Sequence, residues 1–183
     1  MANVIPYAKW VLKWEGGYVN DPHDSGGETN KGITIATWKN AGYNTSEKLK
    51  NVVYKGKHYS LVTKSLYEMT DEQFAHILKT KYWDRWKADQ IKSQSVAEML
   101  VQWVWGSGVV GIKRPQKMLG LKDDGIVGNM TLNAVNSQNP KIFWEALKKA
   151  REDYFREIVA KNPKNEKFLK GWLNRLNDMK YEN

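Results

Sequence analysis

Apolar side chains recur at helical spacing from the first residues onward. Val4, Ala8, Val11 and Leu12 form one stripe, and Tyr7, Trp10 and Trp14 form a second. A helix that is apolar on two sides is mostly buried. Asn3 is placed to cap it, Pro6 is tolerated in its first turn, and Gly16-Gly17 stop it after about Glu15. Residues 18–32 lose the periodicity and are rich in Gly, Pro, Asn and Asp, which predicts an irregular loop. "TIATWKNAG" predicts a short helix ending at Gly42, and residues 50–62 a hairpin turning at Lys55-Gly56. Thr70 and Gln73 have the spacing of a capping box before the amphipathic run "DEQFAHILKTKYWDRW".

Further helices are predicted over about 94–105, as two short pieces within 109–136, from Pro140 behind the cap Asn139 to about Lys161, and over about 165–180. The pattern therefore predicts a mainly α protein with at most one small β-hairpin.

Composition changes this picture in three places. Hydrophobic residues at 41% and charged residues at 27% describe an ordinary globular chain. The absence of cysteine excludes disulfides and thiolate metal sites. The formal net charge is +9, and residues 101–183 hold 15 basic and 9 acidic side chains, so +6 of the excess sits there. Such a surface is either simply solvated or suits a polyanion. No Lys/Arg block or nucleic-acid motif is present, which disfavours nucleic acid as the partner. No apolar run is long enough to span a bilayer, and "MANVIPYAKWVLKWEGG" lacks the layout of a Sec-type signal peptide.

The candidate chemistry centres on Glu15. A carboxylate at a helix C-terminus faces the negative end of the helix dipole, and burial between two apolar faces adds to that cost. Most such glutamates are solvated surface charges. Here Asp21, Asp24 and Glu28 follow within the loop, and a proton-donating carboxyl facing a second carboxylate is what glycosidic cleavage requires. His23, His58 and His76 lack metal-site spacing, and no nucleophile elbow occurs. No cofactor and no metal are expected. "DDGIVG" at 123–128 lacks the acidic ligands of a calcium loop and reads as a turn. Nine tryptophans are many, and most belong in packing, with Trp38, Trp83 and Trp105 the candidates for a saccharide groove. Tyr18 is placed to reach the same groove.

"EGGYVNDPHDSGGETNKGIT" resembles the signature of the glycoside hydrolase 108 family, phage- and bacteria-encoded N-acetylmuramidases. "YWDRW" at 82–86 and "FLKGWLNRL" at 168–176 are similar to later family segments. Residues 109–136 resemble the family's peptidoglycan-binding element at Gln116, Leu119-Gly120, Asp124-Gly125, Gly128 and Thr131.

The resemblance implies a lysozyme-like catalytic region over 1–108 and a peptidoglycan-binding-like helical region over 109–183. It implies Glu15 as general acid and Asp24 as the second carboxylate, with Tyr18, Asn30, Thr34, Trp38, Trp83 and Trp105 on the substrate. The implied partners are peptidoglycan glycan strands and an anionic cell-wall surface. The implied place of action is the wall, reached by a holin-like or other non-classical route. A departure stands at "VQWVWGSG", where Gln102 and Gly106 replace the Asp and Asn common in the family. Two other readings share the fold: a non-catalytic wall-binding or secretion-assisting protein, and a lytic transglycosylase.

Overall fold

The computed structural model describes residues 1–21 and 27–182. They divide into two units, Ile5–Leu78 and Met1–Val4 with Lys79–Asn183.

The first unit opens with α1, Val4–Trp14. Tyr7, Ala8 and Val11 lie on its buried face; Tyr7 stacks on Trp10 at 6.2 Å, and Trp14 lies tilted against Trp10 at 6.3 Å. Two small antiparallel sheets follow. The first joins β1 (Val19–Asn20), β2 (Glu28–Asn30) and β3 (Ile33–Thr34) in that order. This sheet falls where the sequence predicts an irregular loop. Strands of two or three residues carry no readable alternation, and the glycines around them read as loop.

Thr34 then caps α2, Ile35–Asn40, its Oγ1 accepting from Thr37 N at 3.2 Å. The second sheet is the expected hairpin, longer than its sequence signal: β4 (Lys48–Tyr54) and β5 (Lys57–Thr63), in register from Lys48↔Thr63 to Tyr54↔Lys57. Lys55 (φ 48°) and Gly56 (φ 77°) make its left-handed turn. The Glu28 carboxylate accepts from Thr63 N through both oxygens, at 3.2 and 3.1 Å, and so ties the two sheets. Tyr18, Tyr59 and Val62 form the core between them. α3 (Lys64–Tyr67) and α4 (Asp71–Leu78) close the unit. The capping box forms as expected: Thr70 N donates to Gln73 Oε1 at 2.9 Å, and Gln73 N to Thr70 Oγ1 at 3.2 Å.

The second unit begins where the long helix expected from Asp71 gives way to a π-turn, Lys79–Trp83, and two 3-10 turns, Asp84–Trp86 and Ala88–Gln90. Its centre is α5, Gln94–Ser107, almost wholly buried from Ser95 to Val104. α6 (Val110–Met118) packs close on α5, because a Cβ on Gly111 would lie 2.4 Å from Val104 N. α7 (Asn129–Asn136) follows, then α8 (Pro140–Lys161) behind its cap, with Asn139 Oδ1 accepting from Ile142 N at 3.1 Å. α9, Glu166–Asp178, ends the helices.

The N-terminal residues belong to this unit. Ala2 N donates to Ile91 O at 2.9 Å, and Asn3 and Gln94 exchange hydrogen bonds of 2.7 and 2.8 Å. Glu182 N donates to Ser95 Oγ at 2.9 Å, so the last described residue rests on the same helix start. The protein is mainly α with small hairpins, and among the described residues no helix is long and apolar enough to cross a membrane.

Candidate active site

Glu15 follows the last residue of α1, and its N–H still donates to Val11 O at 3.2 Å. The side chain is half-buried and its Oε1 is screened from solvent. The glycines after it are held from three sides. Lys55 Nζ donates to Gly16 O at 3.3 Å, and Lys31 N donates to Gly17 O at 3.2 Å. Gly17 has φ +87° and sits against Tyr54, so a Cβ there would lie 2.1 Å from the Tyr54 hydroxyl. Gly17 thus has two physical reasons, a left-handed backbone and a close approach, whereas a Cβ on Gly16 would meet nothing within 4 Å. Lys31 is itself fixed, its Nζ donating to Asp71 Oδ1 at 2.7 Å and Met69 O at 3.1 Å. Tyr54, Lys55 and Lys31 escape motif reading, and the one hint in the sequence is a hairpin turn that had to point somewhere.

Asp24 lies outside the described residues, and Asp21 is half-buried. Tyr18 is buried against Tyr59 and Tyr67, ring centroids 5.1 and 5.2 Å away. Its hydroxyl makes no hydrogen bond of good geometry, although the Asn20 side chain lies beside it. Burial, then the Glu28 carboxylate, then Tyr59 push its pKa well above the ordinary tyrosine value. Asn30 is 4% exposed, and its Nδ2 donates to Leu66 O at 2.8 Å and Tyr67 O at 3.1 Å. Thr34 is the half-buried cap of α2.

Trp38 has no exposed surface; it stacks on Tyr43 at 3.8 Å and donates through Nε1 to Ser65 Oγ at 2.8 Å. Trp83, in the second unit, is equally buried and donates to Asp89 Oδ1 at 2.7 Å. Both rings lack a free face for a sugar, so their role is packing and hydrogen bonding. Lys79, then Trp83, hold the Asp89 carboxyl below its ordinary pKa. Trp105 keeps partial exposure and packs on Tyr82 at 4.7 Å. Thus Tyr18, Asn30 and Trp38 are buried within the first unit, while Thr34 and Trp105 retain accessible surface. Among the described residues no group of three or more His, Asp or Glu is arranged to hold a metal.

In the second unit Gln116, buried, organises the turn at 119–128. Its Oε1 accepts from Gly125 N at 2.9 Å, and its Nε2 donates to Ile126 O at 2.9 Å and to Asp124 Oδ1 and Thr131 Oγ1 at 3.3 Å. The Gln, Asp-Gly and Thr of the sequence motif are therefore one hydrogen-bonded knot. Arg114 is engaged by Glu157 through both nitrogens and lies over the Tyr154 ring at 4.6 Å.

Comparison with known sequences gives this fold and site their class, that of lysozyme-like hydrolases acting on peptidoglycan. Residues 8–108 match the family described as glycosyl hydrolase 108, and residues 110–177 match a predicted peptidoglycan domain. The chain belongs to the glycosyl hydrolase 108 family. It is a glycosidase that acts on the peptidoglycan of the cell wall. Among solved structures it is similar to SagA of Brucella abortus, at 27% identity and a TM-score of 0.69, over 95% of this chain and 91% of that one. No match was found among curated proteins.

Proposed function

We propose that the protein is an N-acetylmuramidase, cleaving the β-1,4 bond between N-acetylmuramic acid and N-acetylglucosamine with Glu15 as the general acid. The placement of Glu15 carries this reading: a carboxylate at a helix end, one oxygen screened from solvent, on a backbone fixed by Lys55, Lys31 and Tyr54. A glycosidic oxygen leaves well only when protonated, and a positioned carboxylic acid supplies that proton. We assign Asp24 the role of water-activating base. A water between the two carboxyls makes the reaction inverting.

Thr34 and Trp105 keep the accessible surface that a substrate contact needs. The excess positive charge of the second half supports attraction to an anionic wall surface, with Lys113, Lys117 and Lys122 as its carriers, since Arg114 is engaged by Glu157. That attraction weakens with salt as the Debye length falls below ~8–10 Å.

Loss of turbidity of a cell-wall suspension tests the assignment. Glu15→Gln keeps size and fold and lowers the rate by ~10²–10⁴. Wild-type clearance by this variant refutes the role of Glu15. Mass spectrometry of the products separates hydrolysis, which leaves a reducing muramic end, from transglycosylation, which leaves an anhydro end. Retained wall binding without any product from the wild type identifies a non-catalytic protein.

A further inference from the structure

A groove of about 580 Å³ opens between α6 and α8, with the turn after α6 on its rim. Lys113, Arg114 and Lys117 line it from α6, Glu157 from α8 and Asp123 from the turn, and the fully buried Trp103 of α5 closes it. Arg114 is already engaged: Glu157 accepts from both its terminal nitrogens, and the guanidinium lies over the Tyr154 ring. The two lysines differ from it. Both are exposed, and among the described residues neither is in an ion pair. Lys113 is also held in place, because its stem crosses Gly125, where a Cβ would lie 3.4 Å from Lys113 Cε. Gln116, which accepts from Gly125 N, therefore shapes the bed on which Lys113 rests. Trp103 Nε1 is screened from solvent and has no hydrogen-bond partner among the described residues.

Lysines at i and i+4 are neighbours on a helix surface, and like charges there repel each other. An anion between them replaces that repulsion by attraction. A buried N–H without a partner is rare, and an acceptor atom in the groove completes it. The donor fork that suits a planar carboxylate, the Arg114 guanidinium, is closed by Glu157. What remains is two point charges and one indole N–H. A tetrahedral phosphate, with acceptor oxygens in several directions, matches that set better than a planar carboxylate. The volume lies within the ~300–1,000 Å³ of sites that enclose a small ligand, so there is room for carbon beside the phosphate. Asp123 on the rim is an acceptor for a hydroxyl on that carbon, and its charge disfavours a second anion there.

We propose that the groove between α6 and α8 binds the phosphodiester of a polyol-phosphate polymer, with Lys113 and Lys117 on the phosphate oxygens and Trp103 Nε1 donating to one of them. The phosphate preference stands on the groove; the source of the phosphate in a wall polymer rests on the action at the wall described above. Such a ligand is not the glycan that Glu15 acts on. The groove therefore anchors the protein by a chemistry that cleavage does not consume.

The experiment is an NMR and calorimetric titration of the full chain. The probes are a short glycerol-phosphate oligomer, N-acetylmuramyl-L-alanyl-D-isoglutamine as the carboxylate alternative, and phosphatidylglycerol vesicles as the lipid alternative. The oligomer is expected to shift the Trp103 Nε1–H resonance and to bind about tenfold or more tighter than the carboxylate probe. Lys113→Gln with Lys117→Gln abolishes that shift at unchanged Tm. Lys141→Gln with Lys164→Gln removes the same charge elsewhere and leaves the shift in place. An unmoved Trp103 resonance at saturation overturns the proposal, as does an equal loss in the two double variants, which would assign the binding to diffuse charge. Equal binding of the carboxylate probe overturns the phosphate assignment, and a preference for the vesicles overturns the polymer source. If the first double variant does not fold, Lys113→Gln and Lys117→Gln are read singly, a full shift in both being the overturning result. Turnover is read separately. A chain that binds the oligomer but cleaves no wall keeps the groove and loses the muramidase reading, whereas one that cleaves the wall without binding the oligomer loses the groove and keeps the enzyme.

Discussion

Replacing Gly17 by alanine tests whether the turn after α1 is what places Glu15. At φ +87° an L-residue costs roughly 1–2 kcal/mol over glycine. The new Cβ would also stand 2.1 Å from the Tyr54 hydroxyl and 3.0 Å from Cζ, so the ring must move. Moving it disturbs the edge contact of Tyr54 with Tyr67, of a kind worth about 0.5–1.5 kcal/mol. The sum is roughly 1.5–3.5 kcal/mol, and at ~2–4 °C per kcal/mol for a chain of this size the Tm falls by about 3–14 °C. Glu15 sits two residues away on the same backbone, and a displacement near 1 Å costs about 10²-fold in rate. Thermal unfolding and turbidity clearance are measured together for Gly17→Ala, Tyr54→Phe and the double variant. Tyr54→Phe removes the nearer clash and leaves the backbone cost, so the double variant recovers part of the loss and the cycle is non-additive. A Gly17→Ala protein with wild-type Tm and clearance refutes the argument. Strict additivity refutes its steric half.

Other outcomes follow from buried polar groups in the second unit. Burial, reinforced by Glu182, raises the Glu98 pKa above the ordinary carboxyl value, against the hydrogen bond from Gln94. The protonated form is therefore favoured in the folded state. Its contribution to stability is present below the unfolded pKa of ~4.3 and lost as pH rises through the raised folded value. Glu98→Gln accordingly raises Tm at pH 7, and the gap to wild type closes on acidification; a gap independent of pH refutes this. Gln116→Ala leaves the Gly125 N–H and Ile126 carbonyl without their partner and costs roughly 2–4 kcal/mol, with hydrogen-exchange protection lost first over 119–128. Unchanged exchange there shows that another contact holds the turn.

How much was legible in the sequence depended on the length of each signal. α1, the capping box at Thr70, the cap at Asn139 and the Lys-Gly hairpin each carry a local chemical reason, and each formed where expected. The sheet β1–β3 was invisible because its partners are set by tertiary hydrogen bonds and not by alternation. The helix from Asp71 broke at Lys79 although its apolar periodicity continues. There Lys79 reaches Asp84 and Asp89, and Trp83 reaches Asp89, and these bonds hold the irregular backbone of the π-turn and the 3-10 turns after it. Residue type alone could not separate groove aromatics from core aromatics. Trp38 and Trp105 have the same chemistry, and only burial distinguishes them. The sequence gives no sign that Asn30 and Glu28 each hold main-chain groups, of α3 and β5 respectively, because those partners lie more than thirty positions away.

The two clamps at the start of α5 also fix how tension and synthesis act on the chain. Ala2 and Asn3 are stapled to Ile91 and Gln94, and Glu182 to the neighbouring Ser95. Everything from Ile5 to Leu78 is therefore spooled out between two points of one unit. A pull on the two ends loads the staples first and reaches the spooled segment only after they part. In synthesis the order is reversed: residues 5–78 emerge before α5, so Ala2 and Asn3 wait for their partners, and Ser95 waits for Glu182. The contacts that hold the second unit's first residues thus join positions 91 apart in the chain and cannot close until α5 has been made.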